Sequence, residues 1–172
     1  MIISMDEVSG SGDIYVRPFE PADHRCVVDL ILSIQSEEFG IAITEADQPD
    51  LAGIADFYQS GQGNFWVAVA PNDAIVGTIG LRDIGGDLSA LRKMFVHSDW
   101  RGRDGVAAKL LDALLRGAHE AGVRQIWLGT TDRFLAAHRF YEKHGFSLVD
   151  EQQLPGSFPR MTVDSRFYRR IL

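Results

Sequence analysis

A junction rich in glycine and arginine, HSDWRGRDGVAAKLL (His97–Leu111), separates an apolar run from an amphipathic segment. The apolar residues from Val106 to Ala118 recur at helical spacing, which predicts a helix with one face packed on a sheet. A tight turn needs one glycine, and a surface loop needs no particular charge. Two glycines and two arginines together therefore indicate a helix start where bare backbone N–H groups and positive charge coincide.

The predicted helix start has the properties of an anion site. The first N–H groups of a helix lack partners inside it and carry partial positive charge, which suits a phosphate. Here Gly102 and Gly105 let the backbone approach a ligand up to Ala107, while Arg101 and Arg103 add charge. An ordinary helix entry with solvated arginines is the alternative. No G-x-x-x-x-G-K-[ST] occurs, nor GxGxxG after the first predicted strand, so Walker A and Rossmann sites are not expected.

Length, charge and cysteine content narrow the class of protein. The chain has 172 residues, which fits one domain, and a net charge of −7, which argues against broad nucleic-acid binding. Its single cysteine, Cys26, lies in an apolar run where we expect it to be buried; it excludes an internal disulfide and a cysteine-based zinc site. No apolar run of membrane-spanning length and no signal peptide is visible, so we expect a cytoplasmic protein with no membrane partner.

The pattern along the chain predicts one mixed α/β domain over residues 13–172, preceded by a flexible leader over residues 1–12. The order of elements is β-α-α-β-β-β-α-β-α-β-β. The predicted strands are Ile14–Phe19, Phe65–Ala70, Ala74–Ile84, Leu88–Ser98, Gln125–Thr131, Phe146–Glu151 and Ser165–Leu172. The predicted helices are Pro21–Gly40, Asp50–Gln59, Arg103–Gly122 and Asp132–His144.

The junction resembles motif A of the GNAT (Gcn5-related) N-acetyltransferases, written [QR]-x-x-G-x-[GA], which follows a strand and opens a long helix. Gly105 and Ala107 fill its last two positions, whereas Gly102 stands at the first and Arg101 comes one residue early. A second segment, AAHRFYEKHGF, resembles the family's A-x-x-x-Y-x-x-x-G-F. Its matching residues are Ala137, Tyr141, Gly145 and Phe146. The resemblance is specific over residues 94–146 and follows the element order over residues 14–170.

The resemblance implies a fold and a co-substrate. The fold would be a mixed, mostly antiparallel central sheet flanked by helices on both faces, in which the strand before motif A splays from its downstream neighbour. Acetyl-CoA would bind with its pantetheine arm along that strand and its pyrophosphate at the helix start, with no metal. Phe134 stands where the family often has an asparagine. The residues expected to contact acetyl-CoA are Met94, Phe95, Val96, Arg101, Gly102, Arg103, Asp104, Gly105, Val106, Ala107 and Phe134.

The resemblance also implies direct acyl transfer from the thioester to an amine. Tyr141 would protonate the departing sulfur, and a backbone N–H of Phe95 or Met94 would stabilise the oxyanion. A core aromatic without a catalytic role is the alternative for Tyr141. Glu38 is the preferred general base, against a solvated carboxylate at a helix end. The other candidates for the base are Glu37, Asp83 and His97.

The expected activity is acetylation of a small-molecule primary amine or amino acid. A non-catalytic CoA-binding or regulatory domain and a protein acetyltransferase, acting on lysine or N-terminal amines, remain open. Strand alternation should direct either Arg92 or Lys93 toward the acceptor, which would favour an acidic group on it unless both are solvated. The last strand, RFYRRIL, has an apolar and a basic side and is a candidate edge for a homodimer.

Overall fold

A seven-stranded sheet forms the centre of the molecule in the computed structural model, which describes residues 13–102 and 105–172. The predicted leader, Arg103 and Asp104 lie outside the described residues. The strands are β1 (Tyr15–Pro18), β2 (Asn64–Val69), β3 (Ile75–Gly85), β4 (Leu88–Val96), β5 (Gln125–Thr130), β6 (Ser147–Val149) and β7 (Arg166–Ile171).

The helices connect these strands in the predicted order. They are α1 (His24–Leu32), α2 (Ile54–Tyr58), α3 (Val106–Ala121) and α4 (Leu135–Lys143). A 3₁₀ turn at Pro21–Asp23 leads into α1, which continues as a π-helical turn over Ser33–Glu38. A second 3₁₀ turn, Pro49–Gly53, leads into α2.

Glycines in the left-handed region bound the longest helix, α3. Gly105 (φ 60°) precedes it and Gly122 (φ 84°) ends it, where the Val123 N–H donates to the Ala118 carbonyl at 2.9 Å. Since α3 covers the sheet with Val106, Leu110, Leu111, Ala113, Leu114 and Ala118, its phase is the one that the sequence predicts.

The sheet separates two apolar cores because alternate residues of a strand face opposite sides. On β2, Trp66 and Ala68 pack with α3, whereas Phe65 and Val67 pack with α1 and α2. The strand order is β1-β2-β3-β4-β5-β7-β6, and every neighbouring pair is antiparallel except β4 with β5. The expected fold, a mostly antiparallel sheet with helices on both faces, is confirmed.

Two expectations about surface and interior were wrong. Cys26 is exposed, because Val27, Val28, Leu30 and Ile31 turn toward the sheet and leave it on the outer side of α1. Strand β7 lies between β5 and β6, so it offers no free edge to a second copy. The homodimer itself stays a prediction.

Candidate active site

Strands β4 and β5 separate partway along their length. They pair only through Leu88, Ser89 and Ala90, opposite Gln125, Ile126 and Trp127. From Leu91 onward, the edge of β4 that faces β5 has no partner strand among the described residues, although β4 still pairs with β3 as far as Val96. The separation leaves the backbone groups of β4 that face β5, those of Met94 among them, available to an extended ligand, whereas those of Phe95 face Thr78 of β3.

A β-bulge marks the point of separation. Thr78 pairs with Phe95 and Gly80 pairs with Arg92, so Lys93 and Met94 together face one residue of β3. Lys93 has φ 54°, a left-handed conformation that costs an ordinary residue about 1–2 kcal/mol. The Thr78 hydroxyl donates to the Lys93 carbonyl at 2.7 Å and stabilises the bulge.

A cavity of about 440 Å³ lies in the gap between the two strands. It extends from the start of α4 and the turn before α3 to the bulge on β4. Predicted site residues contribute part of its wall. Those that line it are Met94, Phe95, Val96, Arg101, Gly102, Ala107, Phe134 and Tyr141.

The turn before α3 presents open backbone at this cavity. Gly102 and Gly105 have φ values of 69° and 60°, and a Cβ at either would meet no heavy atom within 4 Å. The N–H groups of the first turn of α3 have no intrahelical acceptor. Gly105 and the buried Val106 do not line the cavity itself but set the direction of this helix start. The geometry therefore fits a phosphate bound by backbone N–H groups.

Arg101 and Glu38, both predicted site residues, bind each other. The guanidinium pairs with both carboxylate oxygens, at 2.8 Å for Nη2–Oε2, and Arg101 Nε donates to the Val96 carbonyl at 2.8 Å. The paired guanidinium lowers the pKa of the Glu38 carboxyl. Glu38 does not line the cavity, and the ion pair weakens it as a proton acceptor.

Tyr141 is buried at the floor of the cavity, on α4. Its ring packs edge-on against Phe146, and none of the described residues hydrogen-bonds its hydroxyl. Burial raises the pKa of the phenol. The hydroxyl therefore stays protonated near neutral pH and is able to act as a proton donor.

Phe134 and Phe39 form the wall where α4 begins. Their rings meet edge to face with centroids 4.7 Å apart, and Arg133 donates to the Phe39 carbonyl at 3.2 Å. An aromatic contact thus takes the place of the side-chain amide that the resembling family often has there. It joins the end of the first helical segment to α4 across the cavity.

A buried polar cluster lies behind the bulge. Lys93 pairs with Asp50 at 3.6 Å and donates to the side-chain oxygen of Gln48, while the Tyr58 hydroxyl donates to Asp50 at 2.5 Å. Lys93 and Asp50 are each only 4% exposed in their side chains. Burial lowers the pKa of the Lys93 ammonium to about 8, although Asp50 counteracts the shift. The members of this cluster are far apart in the chain, so no local sequence pattern indicates it.

A carboxylate that the sequence analysis also missed faces the bulge from across the cavity. Asp164 accepts a hydrogen bond from the Met161 N–H at 3.0 Å and lines the same cavity as Lys93 and Tyr141. A Cβ on Gly129 of β5 would come within 2.5 Å of its Oδ2, so only glycine leaves room for the carboxylate. Burial raises the pKa of the Asp164 carboxyl. The loop before β7 carries no motif that could have revealed this residue.

A second cavity, of about 540 Å³, meets the first at Arg92. The two cavities share Ile43, Arg92, Met161 and Val163. Arg92 stacks over the Phe57 ring at 5.5 Å from its centroid, and no carboxylate of residues 13–102 or 105–172 pairs with its guanidinium. A guanidinium without a salt bridge in the described part of the chain therefore lies where the two cavities join, and it interacts electrostatically with Asp164.

The remaining candidates for the base lie outside both cavities. Glu37 accepts a hydrogen bond from Ser33, and His97 accepts one from the Asp99 N–H. Asp83 accepts N–H groups of Gln62 and Gly85 near the β3–β4 turn, which lower its pKa. None of the three contributes to the wall of the gap between β4 and β5.

The comparisons with known proteins agree with this geometry. The acetyltransferase (GNAT) family model matches residues 28–146, more than half of the chain. The chain belongs to the GNAT family. An acetyltransferase of this family from Staphylococcus aureus Mu50 has 40% sequence identity and a TM-score of 0.89, over 92% of this chain and 98% of that one. Membership of the GNAT family and the likeness to this acetyltransferase identify the chain as an acyltransferase.

Relatives with named substrates are more distant or longer. The N-acetylaspartate synthetase of Xenopus tropicalis is 33% identical over 132 residues, 72% of this chain and 48% of that protein. This GNAT chain thus spans about half the length of the curated relatives it matches. N-acetylglutamate synthase of Neisseria gonorrhoeae, complexed with coenzyme A and N-acetyl-glutamate, shares the fold alone: TM-score 0.73, 17% identity, 95% of this chain and 36% of that one.

None of the described helices is both long and apolar enough to cross a membrane.

Proposed function

We propose that this GNAT protein transfers the acetyl group of acetyl-CoA to the primary amine of a small molecule. The observation that carries the proposal is the gap between β4 and β5, which leads from the helix start at Gly102 to Tyr141. The fold accommodates coenzyme A in the gonococcal relative.

The helix start of α3 would bind the pyrophosphate of acetyl-CoA. Gly102 and Gly105 leave open space, and the first amides of α3 supply N–H donors in the positive end of the helix dipole. Because Glu38 already neutralises Arg101, backbone amides rather than this side chain would carry most of the attraction. Arg103 and Asp104 stay predicted contacts.

The free edge of β4 would bind the pantetheine arm. Met94 has no partner strand on the β5 side among the described residues, so its backbone groups can pair with those of the arm as a strand would. Those of Phe95 pair with Thr78 of β3 and are less available. The Val96 carbonyl already accepts from Arg101 and contributes less. Of the two N–H groups predicted to stabilise the oxyanion, that of Met94, next to the bulge at Lys93, would be the donor, because the Phe95 N–H is directed at β3.

Tyr141 would supply the proton for the departing sulfur. Its hydroxyl is protonated, lies in the cavity wall, and has no competing hydrogen bond within the part of the chain that the structure describes. General acid catalysis of this kind is worth about 100- to 10,000-fold in rate. Glu38, tied to Arg101, stays a prediction as the base.

Calorimetric titration with acetyl-CoA, followed by thiol-release assays with a panel of amines, tests the proposal. We expect micromolar binding that Gly105→Glu abolishes, because it places a negative charge at the phosphate site. Gly105→Ala is the matched control, since it carries the same cost of a positive φ without the charge. No binding by the wild type would refute the proposal.

Tyr141→Phe separates an enzyme from a non-catalytic CoA-binding domain. We expect it to keep acetyl-CoA affinity within about threefold and to lose at least about 100-fold in turnover. Equal turnover in both proteins would show that Tyr141 is only a core aromatic.

A further inference from the structure

We propose that the acceptor is a primary amine that also carries a carboxylate, held with its carboxylate on Arg92 and its amino group at Asp164. This inference rests on the proposed function and names its acceptor class and two residues that contact it. Both residues line the cavity that contains the predicted thioester site, and Arg92 also lines the adjoining one.

The charges that remain after internal pairing favour an acidic group in the second cavity. Asp47 accepts the N–H and the hydroxyl of Thr44, both at 2.9 Å, and Asp50 is bound by Tyr58 and Lys93. Both carboxylates of that cavity are therefore already satisfied, whereas Arg92 forms no salt bridge within the described ranges and interacts electrostatically with Asp164 of the first cavity. A carboxylate of the ligand would neutralise the Arg92 guanidinium, whereas a cationic group of the ligand would be repelled by it.

Arg92 is also positioned to hold a carboxylate in place. Its guanidinium stacks on Phe57, which Arg82 contacts from 4.0 Å, so the planar group is supported on one face and its N–H edge stays available. A guanidinium binds a carboxylate through two parallel hydrogen bonds. The acceptor would thereby be oriented with its amine toward the first cavity.

Asp164 lies where that amine would arrive. Its carboxylate rests on the glycine of β5, across the gap from the bulge of β4, and the Met161 N–H fixes one of its oxygens. Partial burial raises its pKa, while Arg92, Arg160 and Lys93 are the charged groups that face it and counteract the shift. A carboxylate in this setting attracts an ammonium and can accept one of its protons.

The proton balance of the transfer follows from these positions. The bound ammonium gives one proton to Asp164, and the resulting amine attacks the thioester carbon, forming the C–N bond. Collapse of the tetrahedral intermediate breaks the C–S bond. Tyr141 donates its proton to the departing thiolate and recovers one from the nitrogen through solvent. One proton leaves through Asp164, and the other ends on the CoA thiol.

Matched acceptors test the carboxylate requirement on the intact protein. We would compare L-alanine with L-alaninamide and ethylamine, and L-aspartate and L-glutamate with their diamides, by CoA release at saturating acetyl-CoA. We expect the carboxylated amines to have kcat/KM values at least about tenfold higher, the effect of a charge-assisted hydrogen bond. Equal or better use of the uncharged analogues would overturn the proposal.

Two variants assign the roles. Arg92→Gln should raise KM for a carboxylated amine by about 10- to 100-fold and leave KM for ethylamine unchanged. Arg82→Gln is the matched control, because Arg82 also stacks on Phe57 but lines neither cavity. Asp164→Asn should lower kcat by about 100-fold or more. Its amide oxygen can still accept the Met161 N–H, so the loop should keep its fold.

The pH profile separates catalysis from structure at Asp164. The wild-type kcat/KM should fall as the pH drops through the pKa of the Asp164 carboxyl, and Asp164→Asn should lack this acidic limb. If Asp164→Asn keeps the acidic limb, the limb belongs to another group, and the role proposed for Asp164 is overturned. Acetyl-CoA affinity, measured by calorimetry, should be unchanged in all variants. If acetyl-CoA binds but no carboxylated amine reacts, this inference fails while the cofactor site stands; if acetyl-CoA does not bind, both fail.

Discussion

Substitutions in the buried ion pair of Lys93 and Asp50 should change the free energy of unfolding differently in single and double variants. Lys93→Met shortens the unbranched side chain by one heavy atom, keeps an L-residue in the left-handed backbone and removes the charge. Asp50→Asn removes the opposite charge and retains an acceptor for the Tyr58 hydroxyl. The double variant replaces the ion pair with neutral groups of similar size.

The magnitudes follow from burial. Lowering the pKa of Lys93 from 10.5 to about 8 means that the fold disfavours its charged form by roughly 3 kcal/mol. Lys93→Met nevertheless leaves the Asp50 carboxylate buried without its cation, which costs about 3–5 kcal/mol. Asp50→Asn should cost less, because Lys93 can lose its proton. The double variant should be within about 1 kcal/mol of the wild type, or more stable than it.

Urea unfolding followed by circular dichroism, near pH 7, measures all four proteins of this cycle. A coupling energy of about 2 kcal/mol or more between the two sites would support the reasoning. The reasoning is refuted if Lys93→Met alone is as stable as the wild type, or if the double variant is as unstable as Lys93→Met.

Three further predictions concern stability and catalysis. Between about pH 8 and 10.5, Lys93 carries a proton in the unfolded chain but not in the folded protein. The free energy of unfolding should therefore rise by roughly 1.5 kcal/mol from about pH 8 to 9.5. Lys93→Met should lack this rise when urea unfolding is measured at each pH. Gly117→Ala should lower stability by about 1–2 kcal/mol despite its better helix propensity, since the new Cβ would lie 2.6 Å from the Trp66 ring; an equal or higher urea midpoint would contradict this contact. Glu38→Gln should lower kcat less than about tenfold, because Arg101 already lowers the pKa of Glu38; a loss of 100-fold or more in thiol-release assays would make Glu38 the base.

Local patterns carried much of the fold and the residues proposed for the co-substrate half of the site. Helix α3 was predictable because its apolar residues recur at helical spacing, and its start was predictable because Gly102 and Gly105 occupy left-handed backbone. Tyr141 was singled out through a motif that spans most of α4 and the turn after it. Each of these signals lies within a few residues of the chain.

The proposed acceptor half could not be predicted from local patterns, because its parts meet only in the folded sheet. Lys93 contacts Gln48 from 45 residues away, and Arg101 pairs with Glu38 from 63 residues away. Arg101 and Glu38, which the sequence proposed as a phosphate contact and as a general base, therefore bind each other. Asp164 belongs to an irregular loop whose position depends on the insertion of β7 beside β5.

The sequence by itself determined which segments form strands and helices, and where backbone N–H groups would be left for an anion, because periodicity and glycine conformation act over one or two turns of chain. Only the tertiary structure decided which charges are neutralised and which remain free. Neutralisation depends on distance in space and on burial, so Glu38 and Arg101 bind each other, whereas Arg92 stays unpaired within the described residues, at the junction of the two cavities.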